Sequence, residues 1–121
     1  MRLCDKLKEN IELHDQRQRE DKVFVAKGNL DVYVDKIVRL INHDRCINPL
    51  VHVEEKVFDI LREGSPSFCE DAHVIWPSSS PMIEEIEQAW MNFVDFFNEE
   101  GLRVNVDEEH EHGVILTIEP I

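Results

Sequence analysis

Leu102-Arg103-Val104-Asn105-Val106 and Val114-Ile115-Leu116-Thr117-Ile118 carry the clearest strand signal in this chain of 121 residues. Leu102, Val104 and Val106 alternate along the first run, as do Val114, Leu116 and Ile118 along the second. A period of two places each set on one face of an extended chain. The polar segment Asp107–Gly113 joins them, which predicts a β-hairpin with a long loop.

Upstream of the hairpin the period changes. Ile83, Ile86, Trp90, Phe93, Val94 and Phe97 recur at helical spacing, so residues 82–100 are expected to form a helix that Gly101 ends. Pro77-Ser78-Ser79-Ser80-Pro81 reads as a turn, with Ser80 as N-cap and Pro81 as first helical residue. Ala72-His73-Val74-Ile75-Trp76 reads as a short strand, and Ser65–Asp71 as a loop. Leu50, Val53, Val57, Ile60 and Leu61 predict a helix opened by Asn48-Pro49 and stopped at Gly64. Leu30, Tyr33, Val34, Ile37, Val38 and Ile41 form a helical stripe with Asn29 as N-cap. Leu3, Leu7, Ile11 and His14 form another over residues 2–20. Gly28-Asn29 is expected to separate the two, and residues 22–26 read equally as helix or strand.

Helices and strands do not alternate regularly. The expected fold is therefore α+β: three to four helices packed on a small antiparallel sheet that ends in a C-terminal β-hairpin. The length suits a single domain over residues 1–121.

Charge divides that domain. The first 62 residues hold 12 of the 13 basic residues and 12 of the 26 acids, and are neutral. Residues 63–121 hold Arg103 and the other 14 acids, so the whole net charge of −13 lies there. Such a chain is repelled by phosphate backbones and by anionic membrane surfaces. The opening Met1-Arg2-Leu3-Cys4-Asp5-Lys6 has no signal-peptide character, and Cys4, Cys46 and Cys69 are odd in number and far apart. A cytosolic protein is expected, in the host cell if the gene is phage-encoded.

Catalytic signatures are scarce. Gly28, Gly64, Gly101 and Gly113 are too scattered for a P-loop or a dinucleotide fingerprint. No Gly-x-Ser-x-Gly elbow occurs. His110-Glu111-His112 has a spacing that suits a transition metal on a strand, with Asp107, Glu108 and Glu109 as further oxygen donors. It falls in the hairpin loop, where rigid ligands from separate elements are lacking. His14-Asp15 and His43-Asp44 resemble the dipeptides of metal-dependent phosphohydrolases, but a short chain with a β-rich end does not suit that fold. Cys46 beside Arg45 and His43 has a cation to lower its pKa, yet no oriented base or oxyanion hole is evident.

The acidic helix is the strongest functional signal. Residues 82–100 carry Glu84, Glu85, Glu87, Asp95, Glu99 and Glu100 and no Lys or Arg. Exposed helices ordinarily interleave both signs for a few tenths of a kcal/mol per pair. Glu84, Gln88, Asn92, Asp95 and Glu99 step by four, four, three and four, forming a stripe about 22 Å long at 1.5 Å per residue. Met91 and Phe96 flank the apolar face. The hairpin adds Asp107, Glu108, Glu109 and Glu111. A field of one sign lowers stability but speeds encounter with a basic partner.

These features predict a non-catalytic binding protein without cofactor or metal. It would antagonise a basic, nucleic-acid-handling partner, for example a nuclease, through Glu84, Gln88, Met91, Asn92, Asp95, Glu99, Glu100, Asp107, Glu108, Glu109 and Glu111. Phage-type inhibitors of host defence or transcription, nucleic-acid mimics and toxin immunity proteins share this description as an analogy of properties. Direct contact with nucleic acid or membrane is not expected. The alternative is a homodimeric accessory subunit built on the stripes Leu3-Leu7-Ile11 and Leu30–Ile41. A third reading is a metal-binding protein or small enzyme using His43, Asp44 and Cys46, or His110 and His112.

Overall fold

The computed structural model describes residues 2–43, 45–76, 82–108 and 114–121. In chain order the elements are α1 (Leu3–Ile41), β1 (Leu50–Val53), α2 (Glu55–Gly64), α3 (Pro66–Asp71), α4 (Glu84–Glu99), β2 (Leu102–Glu108) and β3 (Val114–Pro120). Four helices pack with a three-stranded antiparallel sheet of order β1-β3-β2, and β2 and β3 form the C-terminal hairpin. The fold is α+β, as the hairpin and the helical stripes require.

α1 is one helix of 39 residues. The expected break at Gly28-Asn29 does not occur, and residues 22–26 are helical. A glycine inside a helix costs about 1 kcal/mol relative to alanine. Burial of Ala26, Leu30, Tyr33 and Ile37 on both sides of Gly28 outweighs it. Asn29 is not an N-cap; its side-chain amide donates to the carbonyl of Val25 one turn back, at 2.8 Å. The helix therefore has two parts. Residues 22–41 lie along the body of the protein, and residues 2–21 are exposed throughout. At 1.5 Å per residue the exposed arm is about 30 Å long.

Leu50–Val53 is a strand, whereas the sequence predicts the start of a helix there. Val51 and Val53 are buried and Leu50 and His52 exposed, a period of two over four residues. Its register against β3 runs from Leu50↔Thr117 to Val53↔Val114. Without β1, the second edge of β3 would have no partner, and pairing outweighs the capping signal of Asn48-Pro49. The helix starts later, at Glu55. It ends at Gly64 as expected, and close packing explains the glycine: a Cβ there would meet Cδ1 of Ile86 at 2.9 Å.

Ser65–Asp71 is not a loop. Ser65 caps α3, its hydroxyl oxygen accepting from the amide of Phe68 at 3.1 Å, and Pro66 opens the helix. The expected strand at Ala72–Trp76 is instead a turn and irregular chain. His73 takes φ 57°, and the amide of Val74 donates to the carbonyl of Cys69 at 2.9 Å, closing the end of α3. Ser80 and Pro81 lie outside the described residues; α4 is preceded by Ile83 in extended conformation.

The core is a run of aromatic rings. Phe68 meets Phe58 on one side and Trp90 on the other, and Trp90 continues through Phe93 to Phe97. Centroid separations of 4.9–5.7 Å place each neighbour in edge-on or stacked contact. Val104, Val106, Val114, Leu116 and Ile118 close the core from the sheet. Gly101, with φ 76°, makes the tight turn that returns the chain from α4 into β2.

Candidate protein-binding surface

α4 places its acids by simple geometry. Ile86, Trp90, Phe93 and Phe97 are buried, which fixes the inward face. At 100° per residue, Glu84, Gln88, Asn92, Asp95 and Glu99 fall on the opposite side. All five are exposed, as are Met91, Phe96 and Glu100. Met91 and Phe96 retain 43% and 42% of their accessible surface. The face thus combines anionic side chains with two apolar ones on its flanks.

The other acids of this helix are engaged. Glu85 accepts from the Arg19 guanidinium of α1 at 2.9 Å. Its carboxyl is held below the usual range, chiefly by its own backbone amide in the first turn of α4 and then by Arg19. Glu87 points inward and braces α3. Its Oε2 accepts from the Ser65 hydroxyl at 2.8 Å and from the amide of Ser67 at 3.2 Å, and its Oε1 accepts from the Ser67 hydroxyl. Trp90 Nε1 donates to Asp71 Oδ2 at 2.7 Å and ties the far end of α3. In contrast, no ion pair joins Glu84, Asp95, Glu99 or Glu100 to a cation among the described residues.

Beside this face runs an open groove of about 590 Å³ between α1 and α4. Leu30, Val34, Ala89, Phe93 and Phe96 form its apolar lining, with Glu84, Gln88 and Asn92 on the α4 side. Gln88 donates to Asn92 at 2.8 Å along that side. Sequence reasoning placed the α4 stripe but missed the groove, whose other wall comes from α1.

Of the expected hairpin acids, Asp107 is the one whose side chain is described, and it does not join the α4 face. Val106 is buried among the helices, so Asp107 next to it stands on the side of the sheet turned away from them. There its carboxylate accepts from the Thr117 hydroxyl at 3.4 Å. Glu108 ends β2 opposite Val114. Glu109 and Glu111 lie outside the described residues, as do His110 and His112. Asp107 therefore lies on a different side of the molecule from the α4 stripe.

The thiols sit in different environments. Cys69 is buried on α3 and its Sγ is 3.2 Å from the carbonyl of Arg62, to which it donates. Burial pushes its thiol above the usual value, which opposes thiolate formation. Cys46 is half-buried in a cleft between the end of α1 and β1 that also holds Lys36, Arg39, His43, Arg45 and His52. Among the described residues no group of three or more His, Cys, Asp or Glu side chains converges on a metal-sized site. No helix among them is long and apolar enough to cross a membrane. Comparison of the chain with protein-family models, curated proteins and solved structures finds no match.

Proposed function

We propose that this chain is a non-catalytic binding protein that docks a basic, nucleic-acid-handling protein on the outer face of α4 and blocks it. The observation that carries this reading is the composition of that face. Glu84, Asp95, Glu99 and Glu100 are exposed and have no cationic partner among the described residues, and Met91 and Phe96 flank them as exposed apolar side chains. Interfaces combine apolar anchors with a polar rim, whereas a surface that serves solubility alone has little use for exposed Met and Phe. Carboxylates spaced along a helix offer anionic positions to a groove that ordinarily receives phosphates. Glu85 and Glu87 are engaged by Arg19 and by Ser65 and Ser67, whereas the outward acids have no ion pair among the described residues.

Affinity capture from host-cell extract tests the reading. Wild type is compared with a variant carrying Glu84→Gln, Asp95→Asn, Glu99→Gln and Glu100→Gln. Wild type is expected to retain a basic nucleic-acid-binding protein at low salt, to release it as salt rises, and to compete with duplex DNA for it. The variant is expected to retain it at least about tenfold less well. Equal capture by both proteins contradicts the proposal.

A further inference from the structure

We infer that α1 is also a self-association surface, pairing antiparallel with α1 of a second copy about a twofold axis between residues 18 and 19. It draws on α1 and not on the partner assigned to α4, although the strip borders the α4 groove at Asp31.

At 100° per residue, Ala26, Leu30, Tyr33 and Ile37 mark the face of α1 that meets the core. Turned about 140° from it is a strip roughly 60° wide in which every residue from 2 to 35 is exposed. It holds the two bulky apolar side chains Leu13 and Phe24, which retain 43% and 79% of their surface.

Antiparallel pairing about residues 18–19 matches this strip to itself. Leu13 meets Phe24 of the second copy. Arg17 meets Glu20, Lys6 meets Asp31, and Arg2 meets Asp35. Each charged pair is of opposite sign, and the apolar pair falls between them. Just outside the strip, Glu9 and Lys27 are brought near each other with opposite signs as well. The alternative parallel, in-register pairing would set Arg2, Lys6, Glu20 and Asp31 each against its own copy, where like charges repel. It would also bring the two acidic bodies side by side. The antiparallel arrangement lays the exposed arm of each copy along the body half of the other, over about 50 Å of helix. The interaction is isologous, as a twofold requires.

Among the described residues, the ion pairs that these charges make within one chain are exposed. Lys6 lies 3.9 Å from Glu9, and Asp35 pairs with Arg39 at 3.1 Å. Such pairs contribute little and exchange readily. With one apolar layer on each side of the axis, the dimer is held largely by charge, so raising the salt concentration should weaken it.

Sedimentation equilibrium of the full chain over about 1 to 100 µM tests this, with helix content by circular dichroism as the folding control. Wild type is expected to dimerise at low salt. Lys6→Glu alone and Asp31→Lys alone are each expected to weaken the dimer about tenfold. The double variant Lys6→Glu/Asp31→Lys is expected to return to within about threefold of wild type. Lys6 and Asp31 of one chain are 25 residues apart along the helix, about 37 Å, so rescue can only act between copies. A wild-type protein that stays monomeric throughout overturns the inference. So does a double variant no better than either single one.

Discussion

Glu87 shows how much one side chain decides in this protein. It belongs by sequence to a run of acids that reads as a solvated or partner-binding cluster. In the structure it turns inward and accepts from both Ser65 and Ser67. Ser65 is fully buried and its oxygen also caps α3. Glu87→Ala leaves those hydroxyls to find other partners, and is expected to lower unfolding free energy by roughly 2 kcal/mol in urea titration. Glu84→Ala, on the exposed stripe, is expected to change it by less than about 0.5 kcal/mol. Equal effects would mean that Glu87 does not brace α3.

Cys69 and Tyr33 give a pH signature at the same scale. Burial is the first cause that raises each, with Glu87 adding to it at Cys69 and Glu54 at Tyr33. The unfolded chain ionises at the ordinary values of 9.0 and 10.0 while the folded chain does not. Stability is therefore unaffected by these two groups below pH 9 and falls as pH rises from about 9 upward. Cys69→Ala is expected to weaken that fall, read from urea midpoints at neutral and alkaline pH. A fall of unchanged steepness would remove Cys69 as a cause.

At the scale of elements, legibility followed the length of each pattern. The hairpin and α4 were legible because alternation and the 3.6-residue period persist over many residues. The inward and outward sides of α4 follow from the same arithmetic, so Met91, Phe96 and the acidic stripe could be placed before the fold was known. β1 was not legible: four residues carry too little periodicity, and Leu50 and Val53 fit a helix as well as a strand. Its identity comes from β3, more than sixty residues away. Ser65-Pro66 does carry the cap-and-proline signal of α3, the same signal that misleads at Asn48-Pro49. Local capping gives way where a sheet edge needs a partner and prevails where none does. Gly28 was read as a break, but a helix anchored by packing on both sides tolerates one glycine.

At the scale of the whole molecule, charge and shape separate into three surfaces. The outer face of α4 presents carboxylates with apolar flanks. The outer side of the sheet carries Asp107 apart from them, a separation that depends on strand register and that composition cannot reveal. The long arm of α1 presents a strip of mixed charge around Leu13 and Phe24. The dimer stripe expected over Leu30–Ile41 is not free, since Leu30, Tyr33 and Ile37 belong to the core. The net charge of −13 therefore acts mainly through the body, and α1 contributes patterned charge of both signs.

The central claim is that α4 is the docking face, and hydrogen-exchange footprinting of the complex with the captured basic protein tests it most directly. Binding is predicted to slow exchange in the peptides spanning Glu84–Glu99 and the facing segment of α1 around Lys27–Val34, and to leave β1 and β3 unchanged. Protection confined to the sheet or to α2, with α4 exchanging as in the free protein, would contradict the account.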